Sequence, residues 1–208
     1  MIKNIKWLGH STIKILENTI IYIDPYNIKE EFNDADIIFI THNHYDHFSK
    51  KDIKKCMHKN TKIVVTKDLY EDVLSSGFKE TDILSVLPNN SYKLGNISFN
   101  TIPAYNINKE FHPKENDWVG YIINLNNVKY YIAGDTDLTD ESRKVKCDIA
   151  FLPVGGTFTM NYKEAAILAN EVKPKIAIPI HYGTLVGTKE DALNFKANLN
   201  DCIKCEIM

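Results

Sequence analysis

Apolar and polar positions alternate in short β-like runs through the first half of the chain. Later, similar runs are interleaved with helical periods. Residues 7–16 and 19–24 read as two strands joined by a turn at Glu17-Asn18, with Asp24-Pro25 closing the second. Residues 36–40 form an apolar, β-rich run bounded by Asn33-Asp34, the pattern of a buried strand. Ser49 with Asp52 three residues on reads as a capping box opening a helix over roughly 50–59. A short strand over 61–66 and a helix over 67–76 follow, the helix closed by Gly77 at the usual C-cap place. Strands are expected over 82–87, 91–94 and 97–102, with Gly95-Asn96 as a hairpin turn, and over 118–125 and 128–133 around Asn126-Asn127. The remainder reads as strand 148–154, an Ala-rich helix 162–172 stopped by Pro174, strand 176–180, helix 189–199 and a last strand 202–207. Two sheets packed face to face with helices outside would bury these runs.

The segment between the strand at 36–40 and the helix after Ser49 changes the picture. It reads Thr41-His42-Asn43-His44-Tyr45-Asp46-His47-Phe48-Ser49, so three of the chain's seven histidines and an aspartate fall within six residues. Imidazole nitrogen and carboxylate oxygen are both good ligands for a borderline divalent metal. A loop between a strand end and a helix start is also where α/β sheets commonly place their chemistry. Asp135, after Gly134, and His181, after the run 176–180, likewise sit just past expected strand ends. Taken singly, such an Asp is more often a turn residue or cap, and such a His a core or surface residue. The His-rich loop is what reverses that reading.

The pattern His42-x-His44-x-Asp46-His47 resembles the signature of the metallo-β-lactamase superfamily. Ile23-Asp24-Pro25 before it fits in order, as do Gly134-Asp135-Thr136 and Pro179-Ile180-His181-Tyr182-Gly183 after it. The subgroup it looks most like is the small metal-dependent hydrolases related to ascorbate-6-phosphate lactonases, through Trp7-Leu8-Gly9-His10, Pro103-Ala104-Tyr105 and Leu152-Pro153-Val154-Gly155-Gly156. The resemblance implies an α+β fold, an αββα four-layer sandwich, with residues 1–208 as a single hydrolase domain. It implies a two-metal centre, with zinc first and manganese or iron(II) as alternatives. His42 and His44 would serve one ion, Asp46, His47 and His181 the other, and Asp135 both.

One position departs from the family. Where the usual pattern has a third histidine for the first ion, this chain has Asn106, whose amide is a poor zinc ligand. His112 lies six residues on, and a loop of that length can extend well over about 10 Å, at roughly 3.3 Å per residue. We therefore expect His112 in the site, as a ligand or a substrate contact. Asp46 is expected to shuttle a proton while ligating, and His10 or His112 to assist the leaving group. Asp24 could fix the tautomer of a ligand histidine. Gly155-Gly156 could let backbone N–H groups approach an anion, although Asn161 with Glu164 reads as a helix cap there.

Composition narrows the classes. A net charge of −2 gives no bulk attraction to nucleic acid or anionic membrane, and no segment approaches the roughly 20 apolar residues of a bilayer span. Four scattered cysteines do not suggest a disulfide scaffold and favour a reducing cytoplasm. Cys202 and Cys205, three apart in an expected strand, would point to opposite faces. The expected activity is that of a metal-dependent hydrolase using a metal-bound hydroxide on a small ester, lactone or phosphoester. Homo-oligomerisation stays open. The rivals are a nuclease or an iron-dependent redox or sulfur enzyme of the same fold, and a non-catalytic metal- or metabolite-binding module.

Overall fold

A computed structural model describes residues 2–208. The chain divides into two compact units, one ending at Val86 and the other beginning at Leu87. Each is built around one mixed sheet.

The first unit carries β1 (Ile5–Gly9), β2 (Thr12–Leu16), β3 (Ile20–Ile23), β4 (Ala35–Phe39), β5 (Met57–Thr66) and β6 (Ile83–Val86), with helices α1 (Lys50–Cys56) and α2 (Tyr70–Ser75). Its strands lie in the sheet in chain order. β1, β2 and β3 pair antiparallel, and β3 through β6 pair parallel, so α1 and α2 sit in the crossovers that parallel strands require. Ile38, Ile40, Ile53, Cys56, Ile63, Val65 and Val73 share one buried cluster. Fully burying an aliphatic side chain of this size stabilises by about 1.5–3 kcal/mol.

The second unit carries β7 (Ser91–Leu94), β8 (Ile97–Pro103), β9 (Val119–Leu125), β10 (Val128–Ile132), β11 (Ile149–Pro153), β12 (Ile176–Ile180) and β13 (Lys204–Cys205), with α3 (Tyr162–Val172) and α4 (Lys189–Ala197). The sheet again runs in sequence order, antiparallel from β7 to β10 and parallel from β10 to β13. β8 alternates buried and more exposed positions, whereas β11 and β12 are buried at every residue. That contrast fits a strand covered on one face and strands covered on both. Asn161 and Glu164 close a full capping box on α3, which is why this helix begins where its sequence places it.

Four local expectations need correction. Residues 7–16 are not one strand. Gly9 (φ 111°) and His10 (φ 50°) turn the chain, so β1 and β2 form a hairpin with His10 at its tip. The helix after Ser49 stops at Cys56, because Thr61 draws the following segment onto β4: its hydroxyl donates to the Ala35 carbonyl at 2.6 Å and accepts from the His58 amide at 2.8 Å. The cap at Ser49 is half a capping box. The Ser49 hydroxyl accepts from the Asp52 amide, but the Asp52 carboxylate turns to the amides of Asn27 and Ile28. The last strand is only two residues long, since the chain turns at Asn200 just before it.

Candidate metal centre

In the first unit the chemistry lies on the segments that leave β1, β3 and β4. After β4 the chain makes one tight turn, with the amides of His47 and Phe48 both donating to the His44 carbonyl. Asp24, at the end of β3, is 1% exposed, so its carboxylate needs hydrogen bonds in place of water. It accepts from the Thr41 amide at 2.8 Å, the Thr41 hydroxyl at 2.7 Å and His47 Nδ1 at 2.8 Å.

Those contacts fix where protons sit. A carboxylate only accepts, so His47 Nδ1 carries a hydrogen. The single hydroxyl proton of Thr41 is committed to Asp24, so Thr41 Oγ1 accepts from His42 Nδ1 at 3.0 Å. Both rings are thereby set with the proton on Nδ1 and the lone pair of a neutral imidazole on Nε2, the arrangement that metal-ligating histidines show when a partner holds the other nitrogen. His42 Nε2 lies 3.1 Å from His44 Nδ1. Two nitrogens on one tetrahedral ion at about 2.0–2.1 Å would be roughly 3.3 Å apart, so this spacing and donor chemistry fit a divalent ion. Asp46 Oδ2 is 2.8 Å from His10 Nε2 and 3.6 Å from His47 Nε2. The first unit therefore gathers His10, His42, His44, Asp46 and His47.

The second unit assembles its set from three separate loops. Asp135 follows β10, His181 follows β12 with φ 58°, and His112 stands on the long connection between β8 and β9. All three are almost wholly buried. Asp135 Oδ2 lies 3.0 Å from His181 Nε2 and 3.4 Å from His112 Nε2. Asn106 is buried beside His112, its side-chain oxygen 3.0 Å from His112 Nδ1.

The glycine pair after β11 has a different role from the anion cradle considered for it. The Gly156 amide donates to the Met160 carbonyl and the Thr157 amide to the Gly155 carbonyl, so these donors are spent within the loop. Gly155 is required by close packing instead: a Cβ there would come within 2.5 Å of the His181 carbonyl. His58 lies at the surface, 4.0 Å from Asp36. Cys202 is exposed and Cys205 half-buried, both as free thiols.

Sequence reasoning passed over Thr41 and Asp137. Thr41 is signalled only by standing directly before the first histidine of the loop. Asp137 is signalled by standing two residues after Asp135, and it accepts from the Tyr105–Ile107 segment through Asn106 Nδ2 at 3.2 Å and the Ile107 amide at 2.9 Å.

The comparisons with known proteins agree with this site chemistry. A family model described as Beta-lactamase superfamily domain matches residues 4–181, a span that includes most of both units. The chain is similar to a UPF0173 metal-dependent hydrolase of Methanosphaera stadtmanae, at 31% identity over 95% of this chain and 91% of that protein. A protein of the same description from Sulfolobus acidocaldarius is 34% identical, over 86% of this chain and 84% of its own length. A Parabacteroides distasonis crystal structure, bearing the provisional name metal-dependent hydrolase, superposes with a TM-score of 0.85 at 29% identity, covering 98% and 91% of the two chains. A metallo hydrolase of Ignicoccus hospitalis shares the fold, with a TM-score of 0.81 at 24% identity over 98% and 94%. No helix among the described residues is long and apolar enough to cross a membrane. The chain belongs to the beta-lactamase superfamily, among its metal-dependent hydrolases.

Proposed function

We propose that this chain, acting as one domain, hydrolyses a small ester, lactone or phosphoester with the help of two divalent ions, zinc being the first choice. The assignment of ligands follows the family resemblance for His42 and His44 at one ion, Asp46, His47 and His181 at the other, and Asp135 at both; His112 is our own addition to the first ion, in place of the missing histidine. When bound, the ions supply Lewis acidity that polarises the substrate and makes water nucleophilic near neutral pH.

The observation that carries the reading is the hydrogen-bond chain His42–Thr41–Asp24–His47. A buried carboxylate and one hydroxyl set the tautomer of two histidines at once, and both rings keep Nε2 as the donor atom. A structural histidine pair has no need of this. In this reading Asp46 takes and returns a proton at Oδ2, and the 2.8 Å contact with His10 Nε2, which holds that carboxylate in one orientation, supports the role. The cysteine usage favours a cytoplasmic setting.

The test is metal analysis of the purified protein together with a panel of chromogenic esters, lactones and phosphodiesters. We expect close to two ions per chain and turnover on at least one substrate class that a chelator abolishes. Fully metallated protein inactive on the whole panel would overturn the hydrolase reading in favour of a metal- or metabolite-binding module.

A further inference from the structure

Asn106 occupies the place where the family pattern has a ligand histidine. Resting on the metal-site reading above, we infer that Asn106 is the positioning residue that makes His112 the replacement ligand, by fixing its tautomer.

The deduction starts from the amide. Its Nδ2 side faces two groups that only accept, Asp137 Oδ1 at 3.2 Å and the Phe158 carbonyl at 2.9 Å. The Oδ1 side faces the His112 backbone amide, which only donates, at 3.1 Å. Turning the amide over would set oxygen against two oxygens and NH2 against N–H, so its orientation is decided by its neighbours rather than by choice. All four hydrogen-bonding positions of Asn106 are then used, because Oδ1 also meets His112 Nδ1 at 3.0 Å. An amide oxygen cannot donate, so Nδ1 must carry the proton.

It follows that Nε2 of neutral His112 presents a lone pair, and this atom lies 3.4 Å from Asp135 Oδ2. Two electron-rich atoms held face to face favour a cation between them. The ring is kept there from other sides as well. Trp118, 5% exposed, packs edge-on against it, with centroids 5.5 Å apart, and the Asn106 amide donates to the His112 carbonyl at 2.8 Å. Residues 107–111 are thus a loop closed at its base by Asn106 and His112. Asp137 steadies it by accepting from the Ile107 amide and from Lys109. The loop carries an imidazole to the Asp135 carboxylate, and asparagine is suited to the base of the loop because it can donate and accept together.

Two measurements on the full chain test this. In metal-free wild-type protein, 15N-histidine NMR above the imidazole titration range should show His112 protonated at Nδ1. A resonance pattern with the proton on Nε2 overturns the proposal whatever the metal content. The second measurement is zinc affinity by chelator competition. We expect Asn106→Ala to weaken one of the two sites about 10–100-fold, the range for losing a partner that orients a ligand, and His112→Ala to weaken the same site at least as much. The double variant should be within about 3-fold of His112→Ala, since contacting residues that act as a unit are not additive. Losses that multiply overturn the proposal, because Asn106 would then act on its own. Wild-type protein that takes up no zinc defeats the metal-site reading, and the tautomer of His112 then decides the present one. That measurement needs no variant to fold.

Discussion

The two units solve one chemical problem in opposite ways. In the first, four potential ligands come from a single turn of chain, residues 42–47, and the carboxylate that orients two of them, His47 directly and His42 through Thr41, sits at the end of the neighbouring parallel strand. In the second, Asp135, His112 and His181 come from three connections far apart in sequence, yet two histidine nitrogens lie within 3.4 Å of one carboxylate oxygen. The sheets share a plan, an antiparallel meander that switches to parallel pairing, and Asp24 and Asp135 each follow the strand at the switch. One acid orients histidines through hydrogen bonds, and the other faces the Nε2 atoms of two of them. Similar scaffolds therefore do not assign similar roles; the loop chemistry does.

The most damaging change to this arrangement should be Asp135→Asn. The amide keeps the shape and removes the charge that faces His112 and His181. We expect both ions to be weakened, by more than the roughly 100-fold that loss of an orienting partner brings, with turnover lost and circular dichroism unchanged. His47→Ala should remove one ion and leave the second. If Asp135→Asn binds two ions at full rate, Asp135 is a turn residue and the dispersed set is not a ligand set.

Thr41→Val tests the local set with a near-isosteric change. It deletes the hydroxyl that links His42 to Asp24 and leaves a buried carboxylate one hydrogen bond short. A loss of about 1–3 kcal/mol in unfolding free energy is expected, along with about 10–100-fold in metal affinity. Affinity unchanged at reduced stability would mean that the Thr41 link serves folding alone.

The difference between the units also explains what could be read from the chain. The 42–47 motif announces itself because its members are neighbours. Helix α3 was legible to the residue because its cap, its apolar face and the following Pro174 agree. His112 is expected in the site from its chemistry and from loop reach, but its direction is not legible, since loop length sets reach alone. The Asn106 amide beside it is oriented by the acceptor oxygens of Asp137 and Phe158, one 31 and the other 52 residues from Asn106. His10 was placed inside a strand because glycine signals a turn only weakly, and a histidine at φ 50° leaves no trace in the sequence. The glycine pair at 155–156 gave the right signal, close backbone approach, for the wrong partner.

That partner gives a smaller, structural test of the dispersed set. Gly155→Ala would bring a methyl group within 2.5 Å of the His181 carbonyl and 2.8 Å of Val186. Backbone cannot yield cheaply there, so we expect a destabilisation of about 1–3 kcal/mol, read as a lower Tm. Metal affinity should fall at the site that uses His181 and hold at the other. An equal loss at both would place the effect on the whole unit.

The last expected effect is on stability alone and concerns the scaffold of the local set. Asp52 follows the ligand loop and ties helix α1 to the segment after Asp24, through the Asn27 amide at 2.9 Å, the Ile28 amide at 3.1 Å and the Ser49 hydroxyl at 2.7 Å. Burial on its own would raise its pKa, but hydrogen bonds from Ser49, Asn27 and Lys55 outweigh it and hold the carboxyl below the 3.8 of an ordinary aspartate. A group whose pKa is lowered on folding stabilises the folded state above its unfolded value, and that contribution fades as pH falls through the folded value. At neutral pH, Asp52→Asn should therefore cost about 1.5–3 kcal/mol, the scale for hydrogen bonds to a charged acceptor. As pH falls below 3.8 and on through the lower folded value, the variant and the wild type should converge in urea midpoint. No convergence would mean that Asp52 acts through shape rather than charge. The comparison is best made on metal-free protein, where a change confined to the acid limb belongs to the tie between α1 and residues 27–28.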